Sequence, residues 1–387
     1  MKPVYLDNAA TTAVDPSIIE AMVRCMAKTY GNPSSAHLMG IEAERQVEAA
    51  RTQTADVLGA KPDTIVFTSG GTEANNLAIR GILDTFIEKG DQGHIVTTAI
   101  EHASVGRVCD WLETKGFGVT RLSVDERGII DLEAFKRALR PDTRLVSIMH
   151  VNNETGSMQP MAEIGDILKN ASKRPLFHVD AVQSFGKYPF APEKWGVDLA
   201  SISAHKIHGP KGVGALYVRK GVRLTPQSLG GGHEGGLRSG TSNVPGIVGL
   251  GMASELAAAR PIAEHAMALK KYFVECVRDA ITDFRINGPG IEEGAAHILN
   301  IGFKSVKGEV LANMLSQQGV YISTGSACSQ RQRTHASHVL QAIGVPRDYV
   351  DGSLRVSFSI YNTTEEIGES VEILKYCVNK VRMFVRR

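Results

Sequence analysis

Lys206 stands just past a short apolar run, 197–204, in the sequence Ser203-Ala204-His205-Lys206-Ile207-His208-Gly209-Pro210. An ammonium group at the mouth of a buried strand is costly unless it is paired or loses its charge. Forming an imine with an aldehyde removes that charge, which is how desolvated lysines become covalent catalysts. A solvated turn lysine is the plain alternative. Asp180 weighs against it, because this acid ends a second apolar run, Phe177-His178-Val179-Asp180. A lysine for an aldehyde and a carboxylate for a ring nitrogen together suit pyridoxal 5'-phosphate.

Other polar residues fit the same chemistry. Ser69-Gly70-Gly71-Thr72-Glu73 passes from a strand pattern into a helix pattern. Its glycines permit a tight turn, and the free amides of a helix start favour a phosphate. Gly71 and Thr72 are therefore candidate phosphate ligands, with Ser203 and His205 as further donors, although a simple helix cap has the same appearance. His102, after the run 95–100, can stack on a flat ring and move protons near neutral pH. Asn153 and Gln183 are candidates for a phenolic oxygen or a substrate group; Asn152 and Glu154 read as turn builders. The stretch Gly230-Gly231-Gly232-His233-Glu234-Gly235-Gly236 is compatible with a loop or an anion-binding nest.

Cys328 lies in a small, polar stretch, Ser323-Thr324-Gly325-Ser326-Ala327-Cys328-Ser329, whereas Cys25, Cys109, Cys276 and Cys377 fall in helical patterns. It is the candidate nucleophile, with Arg331, Arg333, His335 and His338 nearby to favour its thiolate. Arg355 sits inside a strand pattern and needs an anionic partner, either a substrate carboxylate or an internal acid.

These residues need a scaffold that gathers them. Strand patterns at 65–68, 94–98, 145–151, 176–179, 199–203 and 214–218 alternate with helical ones at 73–89, 104–115 and 132–139. That order predicts an α/β fold with a mostly parallel sheet. Thr72, His102, Asn153, Asp180 and Lys206 each follow a strand, the end at which such sheets bind ligands. A helical stretch from 246 to 284 leads to a second region with strands at 298–303 and 354–358 and helices at 310–318 and 364–384. The chain has 387 residues, 43 % hydrophobic and 22 % charged, with net charge +2, which disfavours a nucleic-acid footprint. Five scattered cysteines without a C-x-x-C pair suggest neither disulfides nor a zinc site. No signal-peptide or membrane-spanning pattern is visible, so a cytoplasmic protein is expected. A metal-binding or structural protein using His102, His205, His208 and His233 is a different class of reading, but no H-x-x-x-H spacing supports it.

The ordered motifs resemble those of the class V aminotransferase superfamily of PLP fold type I, and within it the cysteine desulfurases of the NifS/IscS type. They run from Tyr5-Leu6-Asp7-Asn8-Ala9-Ala10-Thr11-Thr12 through Thr72-Glu73-Ala74-Asn75-Asn76, Glu101-His102, Asn152-Asn153-Glu154-Thr155-Gly156 and Asp180-Ala181-Val182-Gln183. The Lys206 segment, Arg238-Ser239-Gly240-Thr241, Gly325-Ser326-Ala327-Cys328 and Leu354-Arg355-Val356-Ser357 complete them. The resemblance implies a large PLP-binding domain, 16–255, with a mostly parallel seven-stranded sheet. A smaller α+β domain would combine 1–15 with 256–387 and carry the cysteine loop. It further implies Lys206 as the coenzyme lysine, His102 for stacking and proton transfer, and Asp180 at the ring nitrogen. Asn153 and Gln183 would contact the ring or substrate, while Gly71, Thr72, Ser203 and His205 would hold the phosphate. Thr241 would reach the phosphate of a second subunit in a homodimer, and Arg355 would bind the substrate carboxylate. The implied reaction converts L-cysteine to L-alanine through a persulfide on Cys328, then passes sulfur to an acceptor protein, an Fe–S scaffold or a thiolation enzyme. A selenocysteine lyase or an aminotransferase on the same fold is the alternative. Where family members often carry Glu-Pro after the cysteine, this chain has the basic stretch Arg331-Gln332-Arg333.

Overall fold

The computed structural model describes residues 3–324 and 337–385. The candidate nucleophile Cys328 lies outside the described residues. Strand β1 (Val4–Tyr5) precedes the strands of the main sheet: β2 (Ile65–Thr68), β3 (His94–Thr98), β4 (Gly118–Leu122), β5 (Thr143–Met149), β6 (Leu176–Asp180), β7 (Leu199–Ser203) and β8 (Gly214–Val218). These seven pair in the order β2-β8-β7-β6-β5-β3-β4. All contacts are parallel except those of β8, which runs antiparallel to both β2 and β7. The expected mostly parallel sheet is present. Its edge strand β4 had no place among the strand patterns, because its residues are half-buried and mixed in character.

Alternation along the strands feeds two apolar layers, since successive side chains point to opposite faces. Ile65, Phe67, Val146 and Ile148 join a core closed by the helices Leu38–Leu58, Met161–Lys169 and Val244–Ala259. Val66, Ile95, Leu145 and Leu199 face the helices Gly71–Glu88 and Ala103–Glu113. Beneath the strand ends, buried His178 bridges Ser147 on β5 (2.8 Å) and Ser201 on β7 (3.0 Å). Burial pushes its pKa down to about 4, so the ring is neutral and serves the sheet.

A separate apolar core surrounds β9 (Phe284–Ile286), β10 (Ile298–Phe303) and β12 (Ser353–Ser357), which form an antiparallel sheet in the order β12-β10-β9. The helices Ile262–Ala280 and Thr364–Val385 pack on it. Val4 and Leu6 belong to this core, and β1 pairs in parallel with β11 (Val320–Tyr321). The N-terminal segment then crosses to the main sheet, where the Thr12 amide donates to His205 O (2.9 Å) and the Asp15 amide to His208 O (3.0 Å).

The turn after β2 is pressed against the start of β8. A Cβ on Gly214 would lie 2.5 Å from Ile202 O and 2.8 Å from the Cα of Gly70. Backbone cannot yield as a side chain does, so Gly214→Ala is expected to destabilise the protein by about 1–3 kcal/mol. Thermal unfolding measures this, and an unchanged midpoint would contradict the close approach.

Candidate active site

Asp180 ends β6, is buried, and has its carboxylate held from two sides. Asn75 Nδ2 donates to Oδ2 (2.8 Å), and the Val182 amide donates to Oδ1 (3.0 Å). Asn75 reaches it from the helix Gly71–Glu88 and also donates to Ser104 Oγ (2.8 Å). Ser104 Oγ lies 2.7 Å from His102 Nδ1, and the Ser104 amide donates to the same nitrogen (3.1 Å). A nitrogen that accepts a backbone N–H carries no proton, so the neutral ring holds its proton on Nε2. Burial keeps the His102 pKa below its ordinary value, with the Asp180 charge opposing and the Lys206 charge adding to that effect. Asn75 and Ser104 were not among the residues singled out from sequence. The helix periodicity that could have aligned Asn75 with a strand end says nothing about which strand.

Lys206 sits in the single turn Ala204–Lys206 after β7. Its Nζ donates to Ala9 O (2.5 Å) and Ala10 O (2.7 Å), tying the N-terminal segment across the turn. His205 lies beside it with Nδ1 3.1 Å from Thr11 Oγ1, and burial pushes its pKa down to about 4. Gln183 is also engaged with this segment: Nε2 donates to Ala9 O (2.9 Å) and Oε1 faces His297 Nε2 (3.4 Å). A second amine, Lys187, lines the same cavity as Lys206. Burial, then the Lys206 charge, pushes its pKa down to about 7.

The fit to a phosphate-ended coenzyme can be judged at Ser203. Its Oγ is buried and has no hydrogen-bond partner among the described residues. A Cβ on Gly70 would lie 3.7 Å from that oxygen, and one on Gly71 would collide with Val182 Cγ2 at 2.6 Å. An unsatisfied hydroxyl thus faces a glycine turn at the start of an 18-residue helix, with exposed Thr72 next in sequence. Hydroxyl and helix amides as donors, the Lys206 amine, and the accepting Asp180 carboxylate fit what pyridoxal 5'-phosphate requires.

Arg355 comes from β12 and is only 4 % exposed. Nη2 donates to Asp7 Oδ1 (2.8 Å) and Nη1 to Asn153 O (3.0 Å), while Nε has no partner among the described residues. The internal acid exists and occupies only one nitrogen of the fork. Thr241 is exposed and bonds to no described residue. The glycine-rich stretch before it is anchored: buried Glu234 accepts from Arg51 Nη1 (2.8 Å), Arg51 Nη2 (3.0 Å) and the Phe67 amide (2.8 Å).

A family model described as aminotransferase class-V matches residues 4–369. The chain belongs to that family. Cysteine desulfurase IscS of Dictyoglomus turgidum is 44 % identical over 383 residues, covering 98 % of this chain and 96 % of that protein. A solved structure titled NifS-like protein superposes with a TM-score of 0.91 at 42 % identity, covering 98 % of this chain and all of that one. Another, titled SspA in complex with cysteine, gives a TM-score of 0.81 at 37 % identity over 93 % of this chain and all of that chain. These full-length relatives place the family member among the cysteine desulfurases, which use pyridoxal 5'-phosphate. The fold and activity implied by its motifs are met; the alternatives of a selenocysteine lyase or aminotransferase are not favoured.

Glu101, beside His102, is the most strongly perturbed acid of the site. Its Oε1 accepts from Thr98 Oγ1 (2.8 Å) and the Met149 amide (3.0 Å), yet burial pushes its pKa up to about 8. The folded state therefore holds a proton that the unfolded chain releases near pH 4.5. Stability from this group is complete below that pH and is lost as pH rises through about 8. Glu101→Gln cannot titrate. Its stability relative to wild type is expected to improve by roughly 2–4 kcal/mol between pH 4.5 and pH 8. Chemical unfolding of both proteins across that range checks it, and parallel pH curves would remove the buried acid from the account.

Proposed function

We propose that this chain takes sulfur from L-cysteine, leaves L-alanine, and holds the sulfur on Cys328 until an acceptor protein receives it. The observation that carries the reading is the convergence of Lys206, Asp180, His102 and the unsatisfied Ser203 hydroxyl at the strand ends. The neighbour solved in complex with cysteine supports that amino acid as substrate here.

When bound, pyridoxal 5'-phosphate supplies an electron-withdrawing ring that stabilises negative charge on the substrate Cα. Ser203, Thr72, the Gly71 end of the helix and His205 bind its phosphate. Asp180, held by Asn75 and the Val182 amide, keeps a proton on the ring nitrogen. His102 offers its ring for stacking and the Nε2 proton for transfer. Gln183 and Asn153 contact ring or substrate oxygens; the Gln183 amide would first release Ala9 O. Lys206 would hold the aldehyde and, as a free amine, would move the substrate Cα proton. Arg355 orients the substrate carboxylate through the nitrogen that Asp7 and Asn153 leave unused. The Cys328 thiolate then attacks the substrate sulfur. An S–S bond forms and the C–S bond breaks with its electron pair left on Cβ; Cβ then takes a proton, and the proton removed from Cα is returned there to complete alanine.

The two cores support a division into a coenzyme-binding unit, 16–255, and a smaller unit of 1–15 with 256–387. Exposed Ile19, Val23 and Met26 form an apolar stripe on the helix Pro16–Lys28, suited to a second copy of the chain. The homodimer would bring each Thr241 to its partner's phosphate. No helix among the described residues is long and apolar enough to cross a membrane. A cytoplasmic location and an acceptor serving Fe–S assembly or thiolation complete the proposal.

Cys328→Ser is expected to keep the visible absorbance of the coenzyme and lose sulfide release by at least about 100-fold, the scale of a lost covalent nucleophile. Sustained release would transfer the nucleophile's role elsewhere. Lys206→Ala is expected to lose the normal coenzyme absorbance, and an unchanged spectrum would defeat the covalent role of this lysine. Light scattering should find a particle of twice 41.7 kDa; a monomer at working concentration would overturn the dimer.

A further inference from the structure

The turn after β5 is built around Asn152. Its Oδ1 accepts from the amides of Glu154 (2.8 Å) and Thr155 (3.0 Å), and its Nδ2 donates to Ile100 O (2.9 Å). The Glu154 side chain takes no part in that turn. It is nonetheless buried, 6 % exposed, and burial raises its pKa. Burying a carboxyl group there is costly unless a hydrogen bond compensates it. Its side-chain hydrogen bond among the described residues comes from Ser337 Oγ.

Ser337 is the first described residue after the stretch that contains Cys328. Its hydroxyl also accepts from the Leu340 amide (3.2 Å), capping the short helix His338–Ala342. His338 Nε2 donates to Glu101 O (3.1 Å), and Val339 is buried against Ile100 and Met149. On the other side of the Cys328 stretch, Ser323 exchanges backbone hydrogen bonds with Arg355 (2.7 and 3.4 Å). Each root of the stretch is therefore fastened to a residue of the site or to its immediate neighbour.

We propose that Glu154 is a positioning residue for the sulfur-transfer step: its carboxyl group fixes Ser337, and with it the C-terminal root of the stretch that carries Cys328, next to Asn153 and Arg355. This rests on Cys328 being the sulfur acceptor. Glu154 acts here through its bond to Ser337. Its effect belongs to the encounter of thiolate and substrate sulfur, where a displacement of about 1 Å costs up to about 100-fold in rate.

The test compares Glu154→Ala, Ser337→Ala, the double variant and Glu154→Gln as holoenzymes. Persulfide on Cys328 is followed by mass spectrometry in a single turnover, beside the absorbance change on adding L-cysteine. Iodoacetamide labelling of Cys328 without substrate gives a second readout independent of turnover. Each alanine variant is expected to slow persulfide formation about 10- to 100-fold and to change the labelling rate. Coenzyme content and the cysteine response should match wild type. The double variant should be no slower than the slower single, as for two halves of one contact. Glu154→Gln, whose amide oxygen still accepts from Ser337, should restore most of the rate. Wild-type transfer in both alanine variants, additive losses in the double, or a parallel loss of the cysteine response would each overturn the proposal. Should Glu154→Ala fail to fold, Ser337→Ala decides from the other side of the bond. A normal persulfide on Cys328 in every variant sinks only the role of Glu154; persulfide absent from wild-type Cys328 sinks the reading beneath it.

Discussion

A carboxylate buried at the end of β6 sets the conditions for the groups around it. Asn75 and the Val182 amide donate to the Asp180 carboxylate there in place of water. That requirement fixes the helix Gly71–Glu88 against the strand ends, since Asn75 lies on its first turns. Once the helix is fixed, its N-terminus and the Gly70–Gly71 turn face Ser203. The same Asn75 continues through Ser104 to His102 and settles which ring nitrogen is protonated. One solvation problem thus orders the glycine turn, the Asp180 carboxylate and the tautomer of His102.

The lysine obeys a different constraint. The carbonyls of Ala9 and Ala10, which lie outside the main sheet, hold its amine. The segment that provides them is itself held at both ends. Asn8 Nδ2 donates to Ser357 O (2.9 Å) and Asp7 pairs with Arg355, while Thr12 and Asp15 bond to the backbone around Lys206. Arg355 and Lys206 are therefore joined through a few residues of extended chain.

Much of this was legible in the sequence, for a physical reason. Lys206, Asp180 and His102 end apolar runs, and a polar residue in that position announces a strand end that binds something. The main sheet followed from alternation, apart from β4, whose edge position leaves it half-buried and without a clean pattern. What escaped depended on contacts between distant residues. Asn75 and Ser104 look like ordinary helix residues until their helices pack. Glu154 read as a turn builder, but Asn152 fills that role and the glutamate bonds to Ser337 instead. The glycine-rich stretch was open between loop and nest, and the Arg51–Glu234 pair that anchors it could not be inferred from composition.

The pairing of β1 with β11, and of Asn8 with Ser357, has a consequence for how the chain comes into being. Asn8, in the segment that crosses the lysine turn, is separated by 349 positions from the partner it meets at Ser357. Closing so wide a loop is slow, and it cannot begin before residue 357 has been made. The main sheet can form while translation proceeds, but the amine's carbonyl clasp is a late event.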